Sequence, residues 1–208
     1  MYDMDRQVLE TAGRWALDGY RFALVTVVRT WGSAPRPPGS WMALREDGQV
    51  AGSVSGGCIE DDLADRMRGG AMRSTRPFLL TYGVTQDEAR RYGLPCGGTM
   101  ELMVEPSPDL PSLEMLKSWL ADGALVRRTV VVGEQEVLLE RVEHTVALSF
   151  DGKRLTSARG PQWRLLIIGA GQIAEYLVPM AQALGYRVFV CDPRVEYAAQ
   201  CAFQGHPS

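Results

Sequence analysis

Trp163-Arg164-Leu165-Leu166-Ile167-Ile168-Gly169-Ala170-Gly171-Gln172-Ile173-Ala174 decides the fold of the C-terminal part. An apolar run of strand length ends in glycines, and residues 172–184 then carry helical spacing. Glycines let a chain turn tightly and bring its backbone close to a ligand, and a helix starting there aims its free N–H groups at the same point. Arg187 to Cys191 reads as a second, core strand, closed by Asp192-Pro193-Arg194. Strand, G-x-G-x-x-A turn, helix, strand and an acidic residue about 20 positions past the turn make the opening of a doubly wound dinucleotide-binding unit. Gly169 and Gly171 would cradle a phosphate and Asp192 would meet a ribose hydroxyl, so NAD(P) is a candidate ligand. The residues after Asp192 are too few for the remaining strands of such a fold. Residues 162–208 are therefore expected to form a truncated Rossmann-like βαβ unit. Its unpaired strands need cover, which favours a homodimer.

Residues 1–157 have a different texture and read as an N-terminal α/β domain on a mixed sheet. Val8, Leu9, Ala12, Trp15 and Ala16 share one face of a helix over 5–18. Phe22 to Thr30 is a buried strand, and Asp47-Gly48 turns a hairpin between Trp41–Arg45 and Gln49–Val54. A helix follows from about Ile59 to Arg68, then strands over 77–82 and 100–104, and a helix over 109–121 with Pro111 in its first turn. Short strands are expected near 125–132, 136–141 and 144–149, with Ser157 to Pro161 as a linker.

Two small clusters within this domain mirror each other. Ser55-Gly56-Gly57-Cys58-Ile59-Glu60 precedes a helix, and Gly93-Leu94-Pro95-Cys96-Gly97-Gly98-Thr99 precedes a strand. A thiol beside a glycine turn can sit among backbone N–H groups that favour thiolate, which makes Cys58 and Cys96 candidate reactive groups. Gly56 and Gly57 could present N–H groups to an anion at the positive end of the helix. Glu60 could orient a ligand or act as a base, or simply offset the helix dipole. A stiff loop, Gly32-Ser33-Ala34-Pro35-Arg36-Pro37-Pro38-Gly39, holds Arg36 between prolines, where its planar head could grip an anion. Ser33 and Ser55 are candidate donors to the same anion.

The totals exclude several classes. Among 208 residues, 22 basic against 25 acidic side chains leave a net charge of −3, which gives no electrostatic reason to expect nucleic acid. No apolar run nears the ~20 residues of a membrane helix. The start, Met1-Tyr2-Asp3-Met4-Asp5, is acidic and unlike a signal peptide, so the cytoplasm is the expected compartment and the four cysteines are expected to be thiols. With two histidines and no C-x-x-C, no metal site is predicted.

The loop 32–39, Gly52-Ser53-Val54-Ser55-Gly56-Gly57-Cys58-Ile59-Glu60 and Cys96-Gly97-Gly98-Thr99 together resemble the XdhC/CoxI family. Trp163 to Arg194 resembles that family's C-terminal Rossmann domain. The resemblance implies a chaperone that binds molybdenum cofactor, assists its sulfuration and inserts it into a molybdenum hydroxylase of the xanthine dehydrogenase or carbon monoxide dehydrogenase type. It implies as partners the apoenzyme, a cysteine desulfurase and a second copy of the chain. Cofactor contacts would fall to Ser33, Arg36, Ser55, Gly56, Gly57, Gly97 and Gly98, with Cys58, Cys96 and Glu60 as thiol relay or further contacts. An NAD(P)-dependent oxidoreductase and a shortened, non-catalytic assembly module are the competing readings.

Overall fold

The computed structural model describes residues 2–32, 34–83, 98–161 and 163–194, and only the backbone of Tyr2, Asp3 and Cys58. Among these residues are helices α1 (Tyr2–Leu17), α2 (Cys58–Arg68), α3 (Leu110–Ala121) and α4 (Gln172–Ala183). The strands are β1 (Phe22–Trp31), β2 (Trp41–Arg45), β3 (Val50–Gly52), β4 (Phe78–Tyr82), β5 (Thr99–Glu105), β6 (Leu125–Val131), β7 (Val137–Val142), β8 (Ser149–Phe150), β9 (Arg154–Arg159), β10 (Trp163–Ile168) and β11 (Tyr186–Cys191). They form three sheets, ordered β3-β2-β1-β5-β4, β7-β6-β9-β8 and β10-β11. The α/β class holds. The expected mixed sheet is instead two N-terminal sheets, antiparallel throughout, and only β10 and β11 run parallel.

β1 is buried on both faces, as its continuous apolar run requires. Ala23, Val25 and Val27 pack with Ile59, Leu63 and Met67 of α2. Phe22 and Leu24 pack with Val8, Leu9, Ala12 and Trp15 of α1 and with Leu113, Leu116 and Leu120 of α3. The pairing with β5 shifts between Val27 and Arg29, so Val28 is an extra residue in the ladder. Val28 shares a face with Leu24 and packs with Met103, Val130 and Leu155, where the two N-terminal sheets meet, and after the shift Arg29 also reaches the second sheet, donating to the Phe150 carbonyl at 2.7 Å. α3 starts where Asp109 Oδ2 accepts the Ser112 N–H at 2.9 Å as N-cap, with Pro111 in the first turn as expected.

Two buried arginines fasten the second sheet to the first. Arg128 of β6 donates to both oxygens of Glu105 on β5, at 2.9 and 2.6 Å. Arg159 of β9 donates to Asp5 of α1 at 3.2 Å and to the Gly39 carbonyl at 2.9 Å. Both guanidiniums face the Trp41 ring, 5.4 and 4.1 Å from its centre. Burial pushes the Asp5 carboxyl up, against the opposing pull of Arg159. This clamp corrects one sequence expectation. Residues 157–159, read as linker, are the inner end of β9, and Asp151-Gly152 turns a β8–β9 hairpin. β9 shows little apolar alternation because its inward side chains include Ser157 and Arg159.

The βαβ unit buries only Ala174 and Ala181 of α4 well, while Ile168, Ile173 and Leu184 remain exposed. Cys191, expected in a core strand, is also exposed. No helix among the described residues is long and apolar enough to cross a membrane.

Glu105→Gln leaves the Arg128 charge buried without its counter-ion and should cost about 3–5 kcal/mol in urea unfolding at neutral pH. The double replacement Arg128→Met with Glu105→Leu removes both charges and should recover most of that loss.

Candidate functional site

Antiparallel register brings three connections to one end of the first sheet. Trp31 pairs with Thr99, Met42 with Gly52, and Tyr82 with Met100. The β1–β2 loop, the β3–α2 loop and the β4–β5 connection therefore all leave from that end. These segments carry the proline loop and both glycine-cysteine clusters. Gly32 (φ 75°) stands so close to the second cluster that a Cβ on it would lie 3.3 Å from Gly98 Cα. Thr99, the first residue of β5, donates through Oγ1 to the Gly83 carbonyl at 3.1 Å and ties the two ends of the β4–β5 connection. Ser33, Cys96 and Gly97 lie outside the described residues.

The base of the proline loop is fixed. Gly39 N–H donates to Val27 O at 2.8 Å, and Ser40 Oγ donates to Pro37 O at 2.7 Å. Arg159 holds the Gly39 carbonyl from beneath. Arg36 is half-buried and has no carboxylate partner among the described residues. It lies in the loop that leaves this end of the sheet.

The β3–α2 loop is built around one carboxylate. Glu60 Oε1 accepts from Ser53 Oγ (2.8 Å), Val54 N (2.9 Å), Ser55 N (2.8 Å) and Gly56 N (3.0 Å). Its Oε2 accepts from Gly57 N (2.9 Å) and from Ser55 Oγ. Glu60 is the third residue of α2, so its side chain reaches back over the helix start, and Gly56 (φ 98°) and Gly57 (φ 150°) adopt backbone conformations that favour glycine. Cys58 opens α2 immediately after them. Burial pushes the Glu60 carboxyl up, but the donors from Ser55, Gly56 and Ser53 outweigh it and hold it at about 2. A carboxylate held there is a weak base at neutral pH, and the geometry gives Glu60 a loop-holding part. The N–H groups of Gly56 and Gly57, expected to be open to an outside anion, are bound to Glu60 in this structure.

Two contributors to this end were not picked out from sequence. Ser53 donates to Glu60 and accepts from Gly56 N at 3.1 Å, and its spacing of two from Ser55 ahead of the glycines was the available signal. Tyr82 Oη donates to Asp62 at 2.8 Å and links the end of β4 to α2. That contact is tertiary and leaves no local mark. Among the described residues no cluster of histidine, cysteine and carboxylate could hold a metal.

The C-terminal turn has the same internal logic. Gly169 (φ 111°) donates its N–H to Cys191 O at 2.7 Å. Asp192 accepts from Ala170 N (2.8 Å) and from Arg194 through its backbone N (2.9 Å), Nε (2.9 Å) and Nη2 (2.7 Å). The Arg194 side chain and the backbone donors hold the Asp192 carboxyl far below the usual range. The residue expected to meet a ribose is engaged in pinning the glycine turn, and Gly171 caps α4.

Glu60→Gln should destabilise the chain by about 2–3 kcal/mol, because amide hydrogens would face N–H donors. The Glu60 carboxyl is lowered from 4.5 to about 2 on folding, so its stabilisation is complete above pH 4.5 and fades as pH falls toward 2. Unfolding midpoints measured across that window should fall more steeply for the wild type than for Glu60→Gln.

Comparison with known proteins agrees with both halves of the chain. The XdhC and CoxI family model matches residues 15–83, and that of the XdhC Rossmann domain matches residues 165–207. Molybdenum cofactor insertion chaperone PaoD of Escherichia coli is 28% identical over 199 residues, which cover 91% of this chain and 58% of PaoD. A probable xanthine dehydrogenase subunit from Bacillus subtilis is 25% identical, covering 86% of this chain and 62% of its own length. The chain thus spans about three-fifths of the length of these curated relatives. A crystal structure described as a xanthine dehydrogenase from Bacillus halodurans shares the fold, with a TM-score of 0.65 at 24% identity over 94% of this chain and 64% of that one. With two models of the one family matching more than half of its residues in the same order, this chain belongs to the XdhC and CoxI family.

Proposed function

We propose that the chain binds molybdenum cofactor and helps to place it in a molybdenum hydroxylase. One observation carries the reading: the proline loop, the Glu60-built loop and the Gly98 end of the second cluster leave the same end of one sheet. The insertion-chaperone relative supports it. The cofactor is an anionic, metal-bearing pterin, and the residues present fit such a group. Arg36 is a half-buried cation with no carboxylate partner among the described residues, and the close approach of Gly32 to Gly98 gives a backbone surface free of side chains. Because Glu60 occupies the N–H groups of residues 54–57, that loop acts as a rigid wall, and Arg36 supplies the charge contact.

Cys58 is the first residue of α2, and Cys96 falls by sequence within the β4–β5 connection, both ends of which leave the same end of the sheet. In this reading they are the thiols nearest the cofactor and assist its sulfuration. The finer points are part of the same proposal: a client of the xanthine dehydrogenase or carbon monoxide dehydrogenase type, a cysteine desulfurase as sulfur source, a homodimer and a cytoplasmic setting.

The chain purified from a molybdenum-competent host should carry a pterin that fluoresces after oxidation, and Arg36→Ala should bind it about tenfold more weakly without a change in unfolding midpoint. A preparation without pterin, or equal binding by the variant, would remove respectively the cofactor reading or Arg36 from it. Thiol trapping of the native chain should label Cys58 and Cys96, and protection of both by bound cofactor is the expected sign of proximity.

A further inference from the structure

A second cleft lies away from these loops, where the βαβ unit meets the second sheet. It has a volume of about 510 Å³, within the ~300–1,000 Å³ range of small-molecule sites. Arg141, Glu143, His144, Arg164 and Arg187 are among its lining residues. The three arginines come from three elements: Arg141 from β7, Arg164 from β10 and Arg187 from β11. Arg187 lies over the Phe189 ring, 5.2 Å from its centre. Arg164 Nη2 donates to the Glu143 carbonyl at 3.3 Å. Arg187 reaches over the α3–β6 turn, its Nε and Cζ 3.8 Å from where a Cβ of Gly123 would stand. Arg141 lies over the Trp119 ring at 4.9 Å and meets Asp122 at 3.2 Å. Among the described residues the only ion pair of these three arginines is that of Arg141 with Asp122, and neither Arg164 nor Arg187 has a carboxylate partner.

We propose that this cleft binds a small molecule bearing a phosphate or diphosphate group, gripped by Arg164 and Arg187. Planar guanidiniums match phosphate oxygens in pairs, and Arg164 and Arg187, direct register partners on neighbouring parallel strands, can together offer a fork that a single surface arginine does not. The cleft is at the starting ends of β10 and β11. The glycine turn at Gly169 stands at the other end of β10, roughly 16 Å of strand away. The two sites are thus distinct, and the cleft owes nothing to the loops of the first sheet. Its failure would leave the maturation reading standing, and the reverse also holds.

Calorimetric titration of the chain with inorganic pyrophosphate and with ADP tests this assignment. Saturable binding is expected, weakened about tenfold by Arg164→Gln or by Arg187→Gln and partly kept by Arg164→Lys with Arg187→Lys, which retains charge but not the planar fork. Circular dichroism confirms that each variant is folded. Tighter binding of ADP than of pyrophosphate would identify an organic phosphate ester, and equal binding a diphosphate alone; both support the site. Gly171→Ala serves as the control for the glycine turn, since a Cβ there meets nothing within 4 Å. The proposal is overturned if neither probe binds, if binding survives both glutamine substitutions, or if Gly171→Ala abolishes it while they do not.

Discussion

Antiparallel pairing on both sides of β1 is the constraint from which the rest of the N-terminal architecture follows. A strand with two antiparallel neighbours sends its connections out at fixed ends, and here the register sets Trp31 against Thr99 and Met42 against Gly52. Three loops that are far apart in sequence must then share one end of the sheet. The continuous apolar run of β1 makes this arrangement stable, since both faces are covered, by α2 on one side and by α1 and α3 on the other. Slipping the register by one residue would exchange the two faces and break both layers at once.

Within that frame the chain satisfies its own glycine turns. Glu60 and Asp192 lie in unrelated halves, yet each turns a carboxylate back onto the N–H groups of the glycine-rich turn before a helix. Buried backbone donors without partners are costly, so an internal acceptor lets such a turn keep its shape with no ligand bound. The consequence for function is selective. At the start of α2 the backbone N–H groups that glycine before a helix usually offers to an anion are taken up from within by Glu60. In both proposed sites recognition of an outside anion therefore rests on arginine side chains, Arg36 at the sheet end and Arg164 with Arg187 in the cleft beside the βαβ unit.

The clamp between sheets shows the same reliance on internal partners. Arg128 and Arg159 are nearly excluded from solvent, with side chains 2% exposed, and both stack on Trp41. Burying two guanidiniums is tolerable only because Glu105 and Asp5 supply opposite charge at hydrogen-bonding distance. The same Arg159 holds the Gly39 carbonyl, so the packing of the second sheet and the footing of the proline loop are linked through one side chain.

The sequence by itself determined what depends on neighbours along the chain. Apolar spacing marked α1, α2 and α3, a β-branched run marked β1, an apolar run before the glycine turn marked the start of the parallel pair, and Asp47-Gly48 marked the β2–β3 turn. The glycine-cysteine clusters and the G-x-G-x-x-A turn also pointed to the family. Only the tertiary structure decided the rest. β9 was hidden because its inward positions hold Ser157 and Arg159, and the burial of Arg159 depends on partners over 100 residues away. The part played by Glu60 was hidden too: a carboxylate at the third helical position signals a cap in sequence, but how many donors it gathers depends on the fold of the loop before it. Hydrogen bonds and ion pairs between distant residues leave no periodicity, and so they become legible only when the backbone brings the groups together.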